Sequence, residues 1–233
     1  MPTELRLEVF PDAERAAARS AILIAERLRA AVAERGAATF AVSGGRTPAR
    51  MLERLAAEPL PWERISCFQV DERIAPDGDP DRNATRITSA LRRQVERYPE
   101  QFHWMPVTAA DAVIGAREYE AALLRAAGRP PIFDLIHLGL GADGHTASVF
   151  PGETLDERHE VAVTAAHMGY RRMTLTLALI NRARLILWLV TGPDKATALA
   201  RLLRADSESV ASRVRHVSAV IVADALAATP PPA

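Results

Sequence analysis

The sequence holds a single cysteine, Cys67, among 233 residues. An intrachain disulfide is therefore excluded, and the chain suits a reducing compartment. Cys67 lies in the run Ile65-Ser66-Cys67-Phe68, where a small buried hydrophobe is expected rather than a nucleophile. An excess of one charge is also lacking, since Lys plus Arg and Asp plus Glu each number 29. That balance offers nothing to a long polyanion, so no nucleic-acid partner is expected and any basic site has to be local. Long apolar runs are missing too. The longest, Leu185-Ile186-Leu187-Trp188-Leu189-Val190, is far too short to cross a bilayer, and Met1-Pro2-Thr3-Glu4-Leu5-Arg6 has no signal-peptide core. No membrane partner is expected, and the expected location is cytoplasmic. Internal repeats are absent. What remains is an ordinary globular composition, 48% hydrophobic and 25% charged, and a length that fits one large α/β domain or two small ones, of which a single domain over residues 1–233 is the expectation taken.

Strand-like and helix-like segments alternate along the chain. Helices are expected over 12–35, stopped by Gly36, over 84–97 and over 109–127. Short apolar runs read as buried strands over 39–42, 65–70, 133–140, 185–190 and 217–222. Further helices are expected to open near Thr47-Pro48, with Thr47 as N-cap, near Pro193-Asp194, and after Asp224. The tail Pro230-Pro231-Pro232 is expected to fray. Such alternation predicts a parallel sheet covered by helices on both faces. Ligands of such sheets bind beyond the carboxyl ends of the strands, which is where the polar and glycine-rich clusters fall.

Four clusters carry chemistry. Ser43-Gly44-Gly45-Arg46-Thr47-Pro48 joins a strand to a helix; its glycines free the backbone N–H groups, and the helix start adds partial positive charge, together an anion site. Asp71-Glu72-Arg73 sets two carboxylates beside an arginine, which suits a surface ion group or a site that orients water and grips phosphate. The run from Gly139 to Gly152 is the most informative. Its glycines let a strand end fold back on a ligand, and His145 is expected at the start of a helix, able to act as a general base with Asp143 orienting it. Ser148 is expected inside that helix and not on a nucleophile elbow. Asp143 and His145 supply only two metal ligands, and no Cys/His cluster supplies a third, so no metal is expected. The fourth group, Arg172 and Lys195, taken alone reads as solvated cations.

In this order, the four clusters resemble the 6-phosphogluconolactonases, within a group that includes the glucosamine-6-phosphate deaminases/isomerases. The matching motifs are Ser43-Gly44-Gly45-x-Thr47-Pro48, Asp71-Glu72-Arg73 with Asn83 downstream, Gly139 to Gly152, Arg172-x-Thr-Leu-Thr, and Thr191-Gly192-x-x-Lys195. Arg82 stands where the family pattern has serine, and the proline expected shortly before Arg172 is missing. The resemblance implies a Rossmann-like, three-layer α/β fold with a parallel sheet, of the glucosamine-6-phosphate isomerase type. It implies hydrolysis of a phosphosugar lactone, with no metal and no organic cofactor. His145 would activate water, and Ser43, Gly44, Gly45, Arg46, Thr47, Arg73, Arg172 and Lys195 would surround phosphate and sugar. Asp71 and Asp143 would be polar members of the pocket. A monomer is the expected state. The ring-opening deaminases carry a glutamate where this chain has Phe150, a side chain that cannot transfer protons.

Overall fold

The Asp12 side chain accepts the N–H of Arg15 at 2.8 Å, and Gly36 turns out of the helix at φ 78°, so the Ala-rich segment between them is bounded at both ends. This is the longest helix in a computed structural model that describes residues 5–215 and 218–229. In chain order the elements are β1 (Arg6–Phe10), α1 (Ala13–Arg35), β2 (Ala38–Val42), α2 (Arg46–Ala56), β3 (Ile65–Gln69), β4 (Asp71–Arg73), α3 (Asn83–Ala90), α4 (Arg92–Arg97), β5 (Phe102–His103), α5 (Ala112–Ala127), β6 (Leu135–Leu138), β7 (Val161–Val163), β8 (Arg172–Leu175), α6 (Leu177–Ile180), β9 (Ile186–Val190), α7 (Ala196–Leu203), β10 (Ala219–Asp224) and α8 (Ala225–Ala228).

Seven strands pair in the order β1-β10-β9-β6-β2-β3-β5, and every pairing is parallel. The inner strands β2, β6 and β9 are buried at every residue, as near-continuous apolar runs require when both faces are covered. On one face Ile24 and Leu28 of α1 and Met51 and Leu55 of α2 pack on Phe40, Leu135 and Leu187. On the other, Tyr119 and Leu123 of α5 and Leu199 of α7 pack with Phe68, Ile136 and Trp188. Each such side chain, fully buried, contributes about 1.5–3 kcal/mol. The three-layer, mostly parallel α/β fold is as the sequence implies. Among the described residues, no helix is long and apolar enough to cross a membrane.

The sequence reading missed a second sheet, antiparallel, in the order β4-β8-β7. Its strands have three or four residues each, too few for periodicity to register. The helix expected over 84–97 is two helices, because the chain bends at the fully buried Leu91 (φ −108°, ψ 25°). The helix expected from 109 starts at Ala112, where the Asp111 side chain caps the N–H of Val113 at 2.7 Å. The last strand starts by Ala219; Val217 and the tail Pro230-Pro231-Pro232 lie outside the described residues.

From β2 the chain moves through β3 toward one sheet edge, and from β6 through β9 toward the other. The order reverses between β2 and β6, and the crevice at such a switch point is where doubly wound sheets bind ligands.

Candidate active site

At that switch point a cavity of about 260 Å³ opens at the carboxyl ends of β2, β6 and β9, with β4 and the start of β8 as its far wall. Ser43, Gly44, Gly45, Arg46, Thr47, Asp71, Arg73, His145, Arg172 and Lys195 all line it. Of the residues expected to form the pocket, Asp143 is the exception, and it meets His145 at Nδ1.

The β2 end is held by Ser43, whose backbone N–H and hydroxyl both donate to the His137 carbonyl, at 3.3 and 3.1 Å. Gly45, at φ 126°, a conformation that favours glycine, then leads directly into α2. Thr47 is therefore not the N-cap. Gly45 takes that place, and the Thr47 hydroxyl instead meets the Thr191 hydroxyl at 3.1 Å, joining the β2 and β9 ends. No side chain caps α2, so the N–H groups of its first turn stay open for an anion.

The far wall is built on buried carboxylates. Glu72 is fully buried and accepts four hydrogen bonds: from the N–H groups of Arg73 (2.8 Å), Asn83 (2.7 Å) and Ala84 (2.7 Å), and from Gln69 Nε2 (2.8 Å). It caps α3 and is a structural anchor. Arg82 is also buried, with Nε 3.5 Å from Glu72 Oε2 and an ion pair to Asp77, so it fixes the end of the 74–82 loop. Asp71 accepts from Ser148 Oγ at 2.6 Å and from Asn83 Nδ2 at 3.1 Å. Asn83 in turn holds Arg73 through its side-chain oxygen. A side chain at residue 44 would collide with Asn83, so the glycine of the first cluster and the asparagine of the second need one another.

Arg73 and Arg172 are direct cross-strand partners on β4 and β8. Like charges placed so oppose each other. Arg172 is not a solvated cation: it is buried, and its Nε has no partner among the described residues. Burial first, then the Arg73 charge, lowers its pKa, while Asp71 and Glu72 pull the other way. A buried guanidinium with an unused donor beside a second guanidinium, on the wall of a cavity, is suited to an oxyanion. The neighbouring Arg171 is exposed, with only its carbonyl used, by the Ile74 N–H at 3.0 Å. Lys195 reaches the cavity from a 3-10 turn after β9, with Nζ 3.1 Å from Asp194.

The segment after β6 is not the expected helix. Residues 141–150 are turns with one isolated bridge, Thr146 to Val149, and Ala147 sits at φ 52°. Neither His145 nor Ser148 is helical, because internal bonds close the chain into turns: Gly141 N–H to the His145 carbonyl (2.9 Å), Gly144 N–H to the Gly141 carbonyl (3.0 Å) and Thr146 Oγ1 to the Gly139 carbonyl (3.0 Å). Asp143 Oδ1 accepts the His145 backbone N–H at 3.1 Å and lies 2.5 Å from His145 Nδ1. A carboxylate can only accept, so the neutral imidazole carries its proton on Nδ1 and keeps the Nε2 lone pair free. Burial raises the Asp143 pKa, but the hydrogen bonds and charge of His145 outweigh it, and the net shift is downward.

Among the described residues, no three His, Cys, Asp or Glu side chains gather where they could hold a metal ion. Cys67 is buried, and burial alone pushes its thiol up to about 12; it is the inert hydrophobe the sequence suggested.

Fold and site together define an α/β protein whose cavity gathers an uncapped helix N-terminus, two arginines, a lysine and a histidine ring held from outside the cavity by a carboxylate. The family model described as glucosamine-6-phosphate isomerases/6-phosphogluconolactonase matches residues 11–222. A 6-phosphogluconolactonase of Synechocystis sp. is 40% identical over 195 residues, covering 82% of this chain and 81% of the relative. The solved structure of a 6-phosphogluconolactonase from Trypanosoma brucei superimposes with a TM-score of 0.84 at 26% identity, covering 96% of this chain and 97% of the other. That from Leishmania guyanensis gives 0.87 at 25%, covering 99% and 100%. The chain belongs to the glucosamine-6-phosphate isomerase/6-phosphogluconolactonase family.

Proposed function

We propose that this chain hydrolyses 6-phospho-D-glucono-1,5-lactone to 6-phospho-D-gluconate, a step of the oxidative pentose phosphate pathway, in the cytoplasm and without metal or organic cofactor. The observation that carries the reading is His145, held at Nδ1 by Asp143 and lining the same cavity as the open α2 N-terminus and the paired arginines. The names of the relatives point the same way.

In this reading the phosphate and sugar oxygens are held by the N–H groups around Gly44 and Gly45 with Ser43, Arg46, Thr47, Arg73, Arg172 and Lys195. Binding so many cations to a remote dianion places the lactone carbonyl at His145. Water attacks that carbonyl carbon, its proton passes to Nε2, and the carbonyl π pair moves onto oxygen. The tetrahedral species then expels the ring oxygen, which takes the proton back from His145 and becomes a hydroxyl. The new carboxylic acid ionises to water. No covalent enzyme intermediate is needed. Asp71 holds Ser148 and Asn83 in place, and through Asn83 aims Arg73.

The test is a direct assay on the purified protein, lactone consumption beside ammonia release from glucosamine 6-phosphate, with and without EDTA. Lactone hydrolysis that survives chelation is expected. Ammonia release without lactone hydrolysis would sink the activity, and loss on chelation restored by a divalent ion would sink the metal-free mechanism.

A further inference from the structure

Phe150 is 5% exposed and meets His145 of its own turn and side chains from two further segments. The His145 ring centroid lies 4.7 Å from its own, tilted by 45°. His167, in the connection from β7 to β8, stacks on it at 3.7 Å and 22°. Arg172 Cζ on β8 lies over the ring at 5.3 Å from the centroid. The face of a benzene ring is electronegative and attracts a cation within about 6 Å. Arg172 is always a cation; His145 becomes one when it takes the proton from water.

We propose that Phe150 is a positioning residue, whose ring fixes the His145 imidazole and stabilises the positive charge it acquires during hydrolysis. The inference rests on the general-base reading above and deepens it. Asp143 meets the imidazole at Nδ1, the Gly141 backbone packs close against it, and Phe150 meets its ring beside them. The charged and titratable groups facing the pair are Asp143 on the same turn, His167 from the β7–β8 connection and Arg172 from β8; Asp71 and Arg73 of β4 and Lys195 share the cavity.

The experiment combines kinetics with a titration that needs no substrate. Phe150→Leu keeps apolar bulk without the ring. It is expected to lower kcat by about 3- to 30-fold, the span that a cation–ring contact covers. The same variant should move the His145 titration, followed by its ring-proton NMR signal, to lower pH by about half a unit or more. Phe150→Tyr should restore both. In a His145→Asn background Phe150→Leu should cost kcat nothing further, because the ring acts through the imidazole. Should Phe150→Leu fail to fold, site-specific di- and trifluorophenylalanine at 150 keep the shape while draining the ring face, and the His145 titration should then fall stepwise with fluorine number. A wild-type kcat with an unmoved titration, or a titration indifferent to fluorination, overturns the inference. An absence of lactone hydrolysis in the wild-type protein would instead overturn the proposed activity, leaving the NMR result to judge the ring contact alone.

Discussion

One oxygen of Asp143 serves His145 twice, accepting its backbone N–H at 3.1 Å and facing its ring Nδ1 at 2.5 Å. Both side chains are partly open to solvent, 44% and 28% exposed, so the pair adds little to stability. Its value is orientation: one carboxylate oxygen locks both the backbone and the ring of a single residue.

His145→Asn retains size and hydrogen bonding but cannot take the proton. It is expected to lower kcat by about 10²–10⁴ while product binding changes little, since the phosphate contacts belong to other residues. A folded His145→Asn protein working at near wild-type rate would refute the base assignment.

Gly141 bears no unusual φ, yet a β-carbon there would strike His145 Nδ1 and Asp143 Oδ1. Gly141→Ala should cost about 10² in kcat through displacement of the imidazole, with the melting temperature nearly unchanged. Gly44→Ala should act on the other wall, displacing Asn83 and raising KM more than it lowers kcat. Equal kinetic profiles for the two variants would contradict this division of labour.

Arg172 faces Arg73 across the ladder with an unpartnered buried Nε. Arg172→Met should raise KM by about 10- to 100-fold, the worth of a hydrogen bond to a charged group, while stabilising the free protein by about 0.2–1 kcal/mol through relief of the like charges. Thermal melts with inorganic phosphate should show stabilisation of the wild type and much less of the variant. If phosphate stabilises both proteins alike, Arg172 does not hold the anion.

His137, on β6 beneath Ser43, is fully buried, neither ring nitrogen has a partner among the described residues, and burial pulls its pKa from 6.5 to about 3. Between those values the unfolded chain binds a proton that the folded chain refuses. Stability is therefore full above pH 6.5 and declines as pH falls toward 3. From pH 6.5 to 5 the loss is about 2 kcal/mol. His137→Leu should remove that part of the acid sensitivity, measured as urea-denaturation midpoints at pH 7 and 5. The same midpoint difference in variant and wild type would show that His137 does not contribute.

The inner strands and the four clusters were legible in the sequence for a physical reason. A strand buried on both faces must be continuously apolar, and a chain leaving such a strand into a helix over a ligand needs glycine. Thus β2, β3, β6 and β9 could be read from their own residues, and the rule that ligands bind beyond the carboxyl ends of such strands then placed Ser43, Asp71, His145 and Lys195 on one rim. Asp71 could be located, but not that its carboxylate is occupied by Ser148 and Asn83, residues 77 and 12 positions away. Arg172 read as a solvated cation when taken alone, because its burial depends on β8 pairing with β4 and β7, an arrangement too short to leave a periodic signal. The turn at 141–150 read as a helix start because its amino acids permit one, and hydrogen bonds among its own backbone groups overrule that preference. Phe150 stood in the sequence as a side chain without chemistry. Its contact with His145 lies within one turn, but those with His167 and Arg172 bring the β7–β8 connection and β8 onto that turn, a property of the fold alone, since side-chain proximity across such segments is decided by packing and not by local propensity.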